Sequence, residues 1–237
     1  MDQNDGKRMK NQAFKNTSLE KQSGSIILWI FIFIGLFAFL GFTMTRDMRG
    51  SADNLSSYQA DLAATEILDY ARTIKATIQE LKINGCDETQ ISFDTNALTG
   101  YSNSNAPSNN SCHVFHPDGG GLRYQPLSED YVTNSANIDW IFTGDSRVLS
   151  VGSDSNAELL GVIRTLSPAI CSAMNDQLSL DPSGNEPFTA GAFTGSYNST
   201  LNDASSIGDT DATLDGVKSA CSQDTAGSYF YIVLLER

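Results

Sequence analysis

The two histidines of this chain, His113 and His116, are the first candidates for chemistry because they lie three residues apart, with Asp118 close behind them. Imidazole and carboxylate groups hold transition metals and act as general bases. A β-strand directs residues three apart to opposite faces, so the two rings would converge only in a turn. No third histidine and no H-E-x-x-H pair accompany them. A structural role is therefore favoured over catalysis, and we predict that the chain is not an enzyme.

Four aspartates nearer the C-terminus form a second candidate site. Asp203, Asp209, Asp211 and Asp215 lie in a segment rich in Ser, Thr and Gly. Carboxylate and carbonyl oxygens are the ligands that Ca²⁺ prefers. The spacing of an EF-hand loop is absent, so a solvated acidic loop is the favoured interpretation and a calcium site is the alternative. We predict no catalytic residue and no resident metal or cofactor.

An uncharged run extends from Ser25 to Thr45, and the location of residues 46–237 depends on it. As a helix that rises ~1.5 Å per residue, this run is long enough to cross the ~30 Å hydrocarbon core of a bilayer. The leader, residues 1–24, carries five basic and three acidic residues, a net charge of +2. The positive-inside rule places that leader in the cytoplasm. We therefore predict a single-pass protein of the inner membrane, in contact with lipid, with residues 46–237 in the periplasm or outside the cell.

The composition of the chain limits its partners and its compartment. A formal net charge of −13 argues against nucleic acid, because phosphate neutralisation needs Lys and Arg. The chain holds four cysteines, an even number that predicts two disulfides in an oxidising compartment. Three pairings are possible, and proximity in sequence favours Cys86–Cys112 and Cys171–Cys221.

Apolar periodicity predicts the helices that follow the membrane run. Residues 46–85 continue the first helix as an amphipathic segment, with an apolar stripe that includes Tyr58 and Leu62. A second helix is predicted from Asn156 to Leu178, and Pro168 should kink or divide it.

The β-prone run Tyr229–Leu235 predicts a central strand, since so much apolar surface would be costly at a sheet edge. Shorter strand segments are predicted at 113–115 and 140–142, among others. The fold class is thus α+β: a long N-terminal helix, half transmembrane and half amphipathic, packed on a small antiparallel-sheet head with one further helix. The corresponding domains are a cytoplasmic leader (1–24), a transmembrane helix (25–45), an amphipathic helix (46–85) and an extracytoplasmic head (86–237).

The order of these elements resembles the type IV pilin and type II secretion pseudopilin superfamily. A basic leader that ends in Lys21-Gln22-Ser23-Gly24 precedes the hydrophobic helix, and an amphipathic continuation and a cysteine-bearing head follow it. The resemblance implies cleavage by a prepilin peptidase between Gly24 and Ser25, which makes those two residues the processing site. It also implies that the helix packs against copies of itself or other pilin-like subunits. The family has a glutamate at the fifth mature position, where this chain has Trp29, so the resemblance is to a minor or atypical member.

The function that follows is structural: a subunit of a cell-envelope filament or pseudopilus, assembled through its N-terminal hydrophobic helix. Such a subunit would leave the membrane when it is extracted into a surface filament. The alternative is an uncleaved signal anchor that holds an extracytoplasmic binding or adhesion domain and does not polymerise. A mature chain that begins at Ser25 would favour the first over the second.

Overall fold

The computed structural model describes residues 24–152, 157–182, 193, 197, 205–224 and 227–237. These residues form the helices α1 (Gly24–Ile83) and α2 (Pro168–Leu178) and the strands β1 (Ile141–Val148), β2 (Glu158–Leu166), β3 (Ser205–Ile207), β4 (Ser219–Asp224) and β5 (Gly227–Leu235). The chain divides into two compact units, Met1–Asp53 and Asn54–Arg237. The second unit contains the sheet, α2 and the C-terminal part of α1.

The predicted fold class is wrong in two respects. Among the residues that the structure describes, no helix is long and apolar enough to cross a membrane, so the transmembrane half predicted at 25–45 is not found, although α1 itself runs from Gly24 to Ile83. The sheet is also mixed rather than antiparallel, because β3 pairs in parallel with β1. Parallel pairing requires a long connection between the two strands, and β2 and α2 lie between β1 and β3 in the chain.

The sheet has the strand order β3-β1-β2-β5-β4, so β5 is an internal strand and β4 forms one edge. The prediction that Tyr229–Leu235 is a central strand is therefore confirmed. Both of its neighbours, β2 and β4, pair with it in antiparallel orientation. Every residue from Ser228 to Leu234 is buried, because β5 is covered on both faces.

The core is divided by the sheet into two apolar layers. One layer joins the sheet to both helices, and Ile74 of α1, Met174 of α2 and Phe230 of β5 are buried in it. The other layer covers the opposite face of the sheet and includes Leu160 and Tyr231. Successive residues of β2 and β5 enter different layers, as the alternation of side chains along a strand requires.

The helix predicted from Asn156 to Leu178 is wrong in its first half, because Glu158–Leu166 forms β2. Leu159 belongs to one apolar layer and Leu160 to the other. A strand that is buried on both faces reads as a continuous apolar run, and periodicity cannot separate such a run from a buried helix. The observed helix, α2, begins at Pro168. Proline is tolerated in the first turn of a helix because the backbone N–H groups of that turn have no partner within the helix.

The C-terminal part of α1 packs on the head through a stripe of alanine and isoleucine. Ala64, Ala71, Ile74 and Ile78 are fully buried. These four side chains belong to the same apolar layer as Phe230 of β5. The helix ends at Ile83, two residues before the end of the predicted amphipathic segment at 46–85.

Tyr58 and Leu62 belong to the apolar stripe that the sequence predicts, but their side chains are 67% and 58% exposed. At 3.6 residues per turn, Tyr58 lies on the side of the helix opposite Ile78. The apolar residues of this segment therefore form two separate faces, and only one of them is covered by the head.

Candidate functional site

His113 and His116 lie in consecutive turns rather than in the predicted strand at 113–115. A single bridge joins His113 to Ser92, and the two imidazole ring centroids are 6.2 Å apart. The turn thus brings the two rings together, which an extended segment would not have done. Cys112, immediately before the turn, is joined to Cys86 just beyond the end of α1, and this crosslink holds the turn against the helix.

The two imidazoles have different surroundings. His113 Nδ1 is buried and has no hydrogen-bond partner among the described residues. Burial lowers the pKa of His113, and the nearby Asp94 carboxylate only partly opposes this effect. His116 Nδ1 accepts a hydrogen bond of 3.2 Å from the backbone N–H of Asp118.

The two histidines and Asp118 are the sequence-based candidates for a metal site or a general base. Within the part of the chain that the structure describes, no three His, Cys, Asp or Glu side chains are placed to hold a metal ion. The Asp118 carboxylate lies 3.6 Å from His116 Nδ1 and is largely exposed. The histidine turn therefore has the geometry of a structural turn.

Of the four candidate calcium ligands, the structure describes Asp209, Asp211 and Asp215, and no group of three or more side chains within the described residues is placed to hold a metal ion. Asp211 is buried and caps a short 3-10 turn by accepting from the backbone N–H and the hydroxyl of Thr213, at 3.0 and 2.6 Å. Asp209 and Asp215 are exposed. Asp203 lies outside the described residues. The capping bonds give Asp211 a local structural role.

Both predicted disulfides are present, with the pairing that sequence proximity favours. Cys86–Cys112 and Cys171–Cys221 have Cα–Cα distances of 5.7 and 5.4 Å. No cysteine is free. The second disulfide joins α2 to the edge strand β4, whereas the first joins the segment after α1 to the start of the histidine turn.

Two half-buried tyrosines connect α1 and the segment before β1. The Tyr70 hydroxyl donates to the carbonyl of Arg123 at 3.1 Å and accepts from the N–H of Gln125 at 2.9 Å. The Tyr124 hydroxyl donates to the Asp139 carboxylate at 2.8 Å. Burial raises the pKa of Tyr70 to about 12 and also raises the pKa of Tyr124. Both phenols are thus protonated at neutral pH, as hydrogen-bond donors and not as bases.

The start of α1 carries an uncovered apolar surface. Eight large hydrophobic side chains between positions 28 and 36 are between 45% and 68% exposed: Leu28, Trp29, Ile30, Phe31, Ile32, Phe33, Ile34 and Leu36. Because successive helical residues are ~100° apart, these positions cover every side of the helix. Gly24 and Ser25, the predicted processing site, are the first two residues of α1.

Sequence reasoning missed one further feature, a cleft of about 470 Å³ between α2 and the outer edge of β4. Its lining combines Asn175 and Asp176 of α2 with Cys221 and Gln223 of β4. The turn-rich sequence before β4 gave no sign that β4 would lie at a sheet edge. The one usable signal was the predicted second disulfide, which ties this strand to α2.

Comparison with known proteins found no matching family model, no similar curated protein and no similar solved structure.

Proposed function

We propose that this chain is a pilin-like minor structural subunit that assembles with copies of itself or with other pilin-like subunits through the start of α1. The observation that carries the proposal is the exposed apolar surface between Leu28 and Leu36. A helix that is hydrophobic on every side is stable only when it is buried. Contiguous exposed apolar surface of this kind marks a site of association.

The chemistry of that surface supports packing between helices. Trp29 and Phe33 lie one turn apart, with ring centroids 6.3 Å apart, and form a broad aromatic ridge. Gly35 has open space where a side chain would lie, which leaves a gap on the neighbouring surface of the same helix. Ridges and gaps of this kind let neighbouring helices interlock.

The rest of the chain supports a structural subunit outside the cytoplasm. Two disulfides indicate an oxidising compartment for the head. The histidine turn, the acidic segment and the buried tyrosines all make local structural bonds, so the proposal assigns the chain no enzymatic reaction. In this proposal the leader is removed between Gly24 and Ser25 before assembly, and the head stays exposed to solvent.

Cysteine crosslinking in the native host tests the assembly. Ile32→Cys places a thiol on the apolar surface, and Ala76→Cys places one at an exposed position on the part of α1 that packs on the head. We expect a membrane-permeant bis-maleimide to give dimers and higher adducts with Ile32→Cys and only monomer with Ala76→Cys. Full expression of Ile32→Cys without any adduct would contradict the proposal. That result would favour the alternative, a binding or adhesion domain that does not polymerise.

The processing step has its own test. Intact mass of the protein from its host should give a chain that begins at Ser25. Gly24→Val should leave the leader in place, because the peptidase implied by the resemblance requires a glycine before the cleavage point. A mature chain that retains Met1 would favour the uncleaved alternative.

A further inference from the structure

The edge strand β4 presents part of its backbone to the outside of the sheet. The N–H of Val233 donates to the carbonyl of Lys218 at 2.7 Å, and the register then places Ser219 opposite Ile232. In an antiparallel pair, residues that bond to the partner strand alternate with residues whose N–H and C=O point away from it. Because Lys218 bonds to β5, the outward groups belong to Ser219, Cys221 and Gln223.

One of these three positions is already occupied. The Asn175 side chain donates to the carbonyl of Cys221 at 2.8 Å and accepts from its N–H at 2.9 Å. This amide from α2 thus takes the place that a neighbouring strand would take. No such partner exists among the described residues for the outward N–H and C=O of Gln223, which opens on the cleft between α2 and β4.

The cleft has the size and charge of a site for an extended peptide. Its volume of about 470 Å³ lies within the ~300–1,000 Å³ that ligand sites usually have. Asp176 and Asp181 supply two carboxylates, and no Lys, Arg or His is among the residues that line it. A free N–H and C=O on one edge residue match the backbone of an added strand. The carboxylates favour a cation on that strand.

We propose that this cleft binds a short, basic peptide segment in extended conformation, paired with the main chain of Gln223. A Lys or Arg side chain of the segment meets Asp176 or Asp181. Because Asn175 covers Cys221, the added strand is confined to the Gln223 end of β4. The segment is therefore short.

The test uses the full chain and a fluorescein-labelled hexapeptide of alternating lysine and valine, followed by fluorescence anisotropy. Gln223→Pro removes an N–H that takes no part in the sheet, and proline is tolerated at such edge positions. We expect it to weaken binding about fivefold, the effect of losing one backbone hydrogen bond. The matched control, Gln223→Ala, keeps the N–H and should bind like the parent. Asp176→Asn combined with Asp181→Asn should weaken binding and reduce its dependence on salt.

A second measurement does not depend on how the proline variant folds. The same hexapeptide, N-methylated at alternate backbone amides, keeps its charge but cannot pair along one edge, so it should bind the parent chain at least about fivefold more weakly. Equal binding of the methylated and unmethylated peptides would show that the acidic surface attracts any cation, and it would overturn the proposal. Failure of the unmodified peptide to bind would do the same.

The cleft beside β4 and the apolar surface at the start of α1 are expected to act independently. Gln223→Pro should leave the crosslinking of Ile32→Cys unchanged, because the two surfaces belong to different compact units. A negative result at the cleft would not affect the assembly proposal, and a negative crosslinking result would not affect the cleft.

Discussion

Phe142 is the position where a single truncation should cost most stability, because it lies at the centre of an aromatic cluster. Its side chain is fully buried, and its ring stacks on Phe93 with centroids 4.0 Å apart and planes within 6°. Tyr101, Phe115 and Trp140 surround it at centroid distances of 5.9, 5.8 and 6.4 Å. One ring thus holds β1 against the segments before it.

The expected cost of Phe142→Ala follows from that burial. Transfer of a buried Phe side chain to water accounts for about 1.5–3 kcal/mol. The cavity left behind adds to this, since four aromatic neighbours on separate segments cannot all collapse into it. Truncations of buried Phe of this type cost about 3–5 kcal/mol. We expect a value near the middle, about 4 kcal/mol, a large share of the ~5–15 kcal/mol that stabilises a typical domain.

Urea unfolding monitored by near- and far-UV circular dichroism measures this change. Phe31→Ala is the matched control, because Phe31 is 68% exposed and should lose no more than about 0.5 kcal/mol. The control should instead weaken assembly, so the two phenylalanines separate stability from association. An unfolding free energy for Phe142→Ala within about 1 kcal/mol of the parent would refute the assignment of the cluster as the centre of the core.

Three further changes test other parts of the fold. Replacing Cys171 and Cys221 together by Ala should cost about 4 kcal/mol in urea unfolding, since their crosslink closes a loop with a sequence separation of 50; a loss below about 1 kcal/mol would show that the crosslink constrains little. Burial lowers the pKa of His113 in the folded chain, so His113 binds a proton more readily in the unfolded chain. The unfolding free energy should therefore fall as the pH drops below about 6.5, the usual pKa of histidine. His113→Gln should remove that part of the pH dependence, and identical profiles for parent and variant would contradict it. Gly152→Ala should cost about 1–3 kcal/mol in thermal unfolding, because Gly152 has φ +71° and a Cβ there would overlap the Arg237 carbonyl; an unchanged melting temperature would count against this contact.

The features that could be predicted from sequence are those that depend on short-range pattern. The run Tyr229–Leu235 is apolar at every position, and such a run is stable only as an internal strand, which β5 is. The two disulfides pair cysteines that are neighbours in the sequence order, which is the pairing that proximity along the chain favours. The helix end at Ile83 also follows from the sequence, since Gly85 takes a φ of +96° that other residues avoid.

The errors concern segments whose pattern fits more than one structure. Residues 158–166 satisfy helical spacing, yet they form a strand because both faces of the sheet are covered. Tyr58 and Leu62 satisfy the same spacing as Ile74, but the head covers only one side of α1. The parallel pairing of β3 with β1 joins segments that are far apart in the chain, and no local sequence motif predicts it.

The sequence by itself determined the apolar character of residues 28–36, the acidic balance of the chain and the number of cysteines, because these are properties of the residues in any conformation. Only the tertiary structure decided that β4 is an edge strand, and that Asn175, 46 residues away, covers Cys221 while Gln223 stays open. The reason is that an outward backbone group becomes a binding group only when the neighbouring strand is missing. Which strand lies at the edge depends on how segments that are distant in the chain pack together.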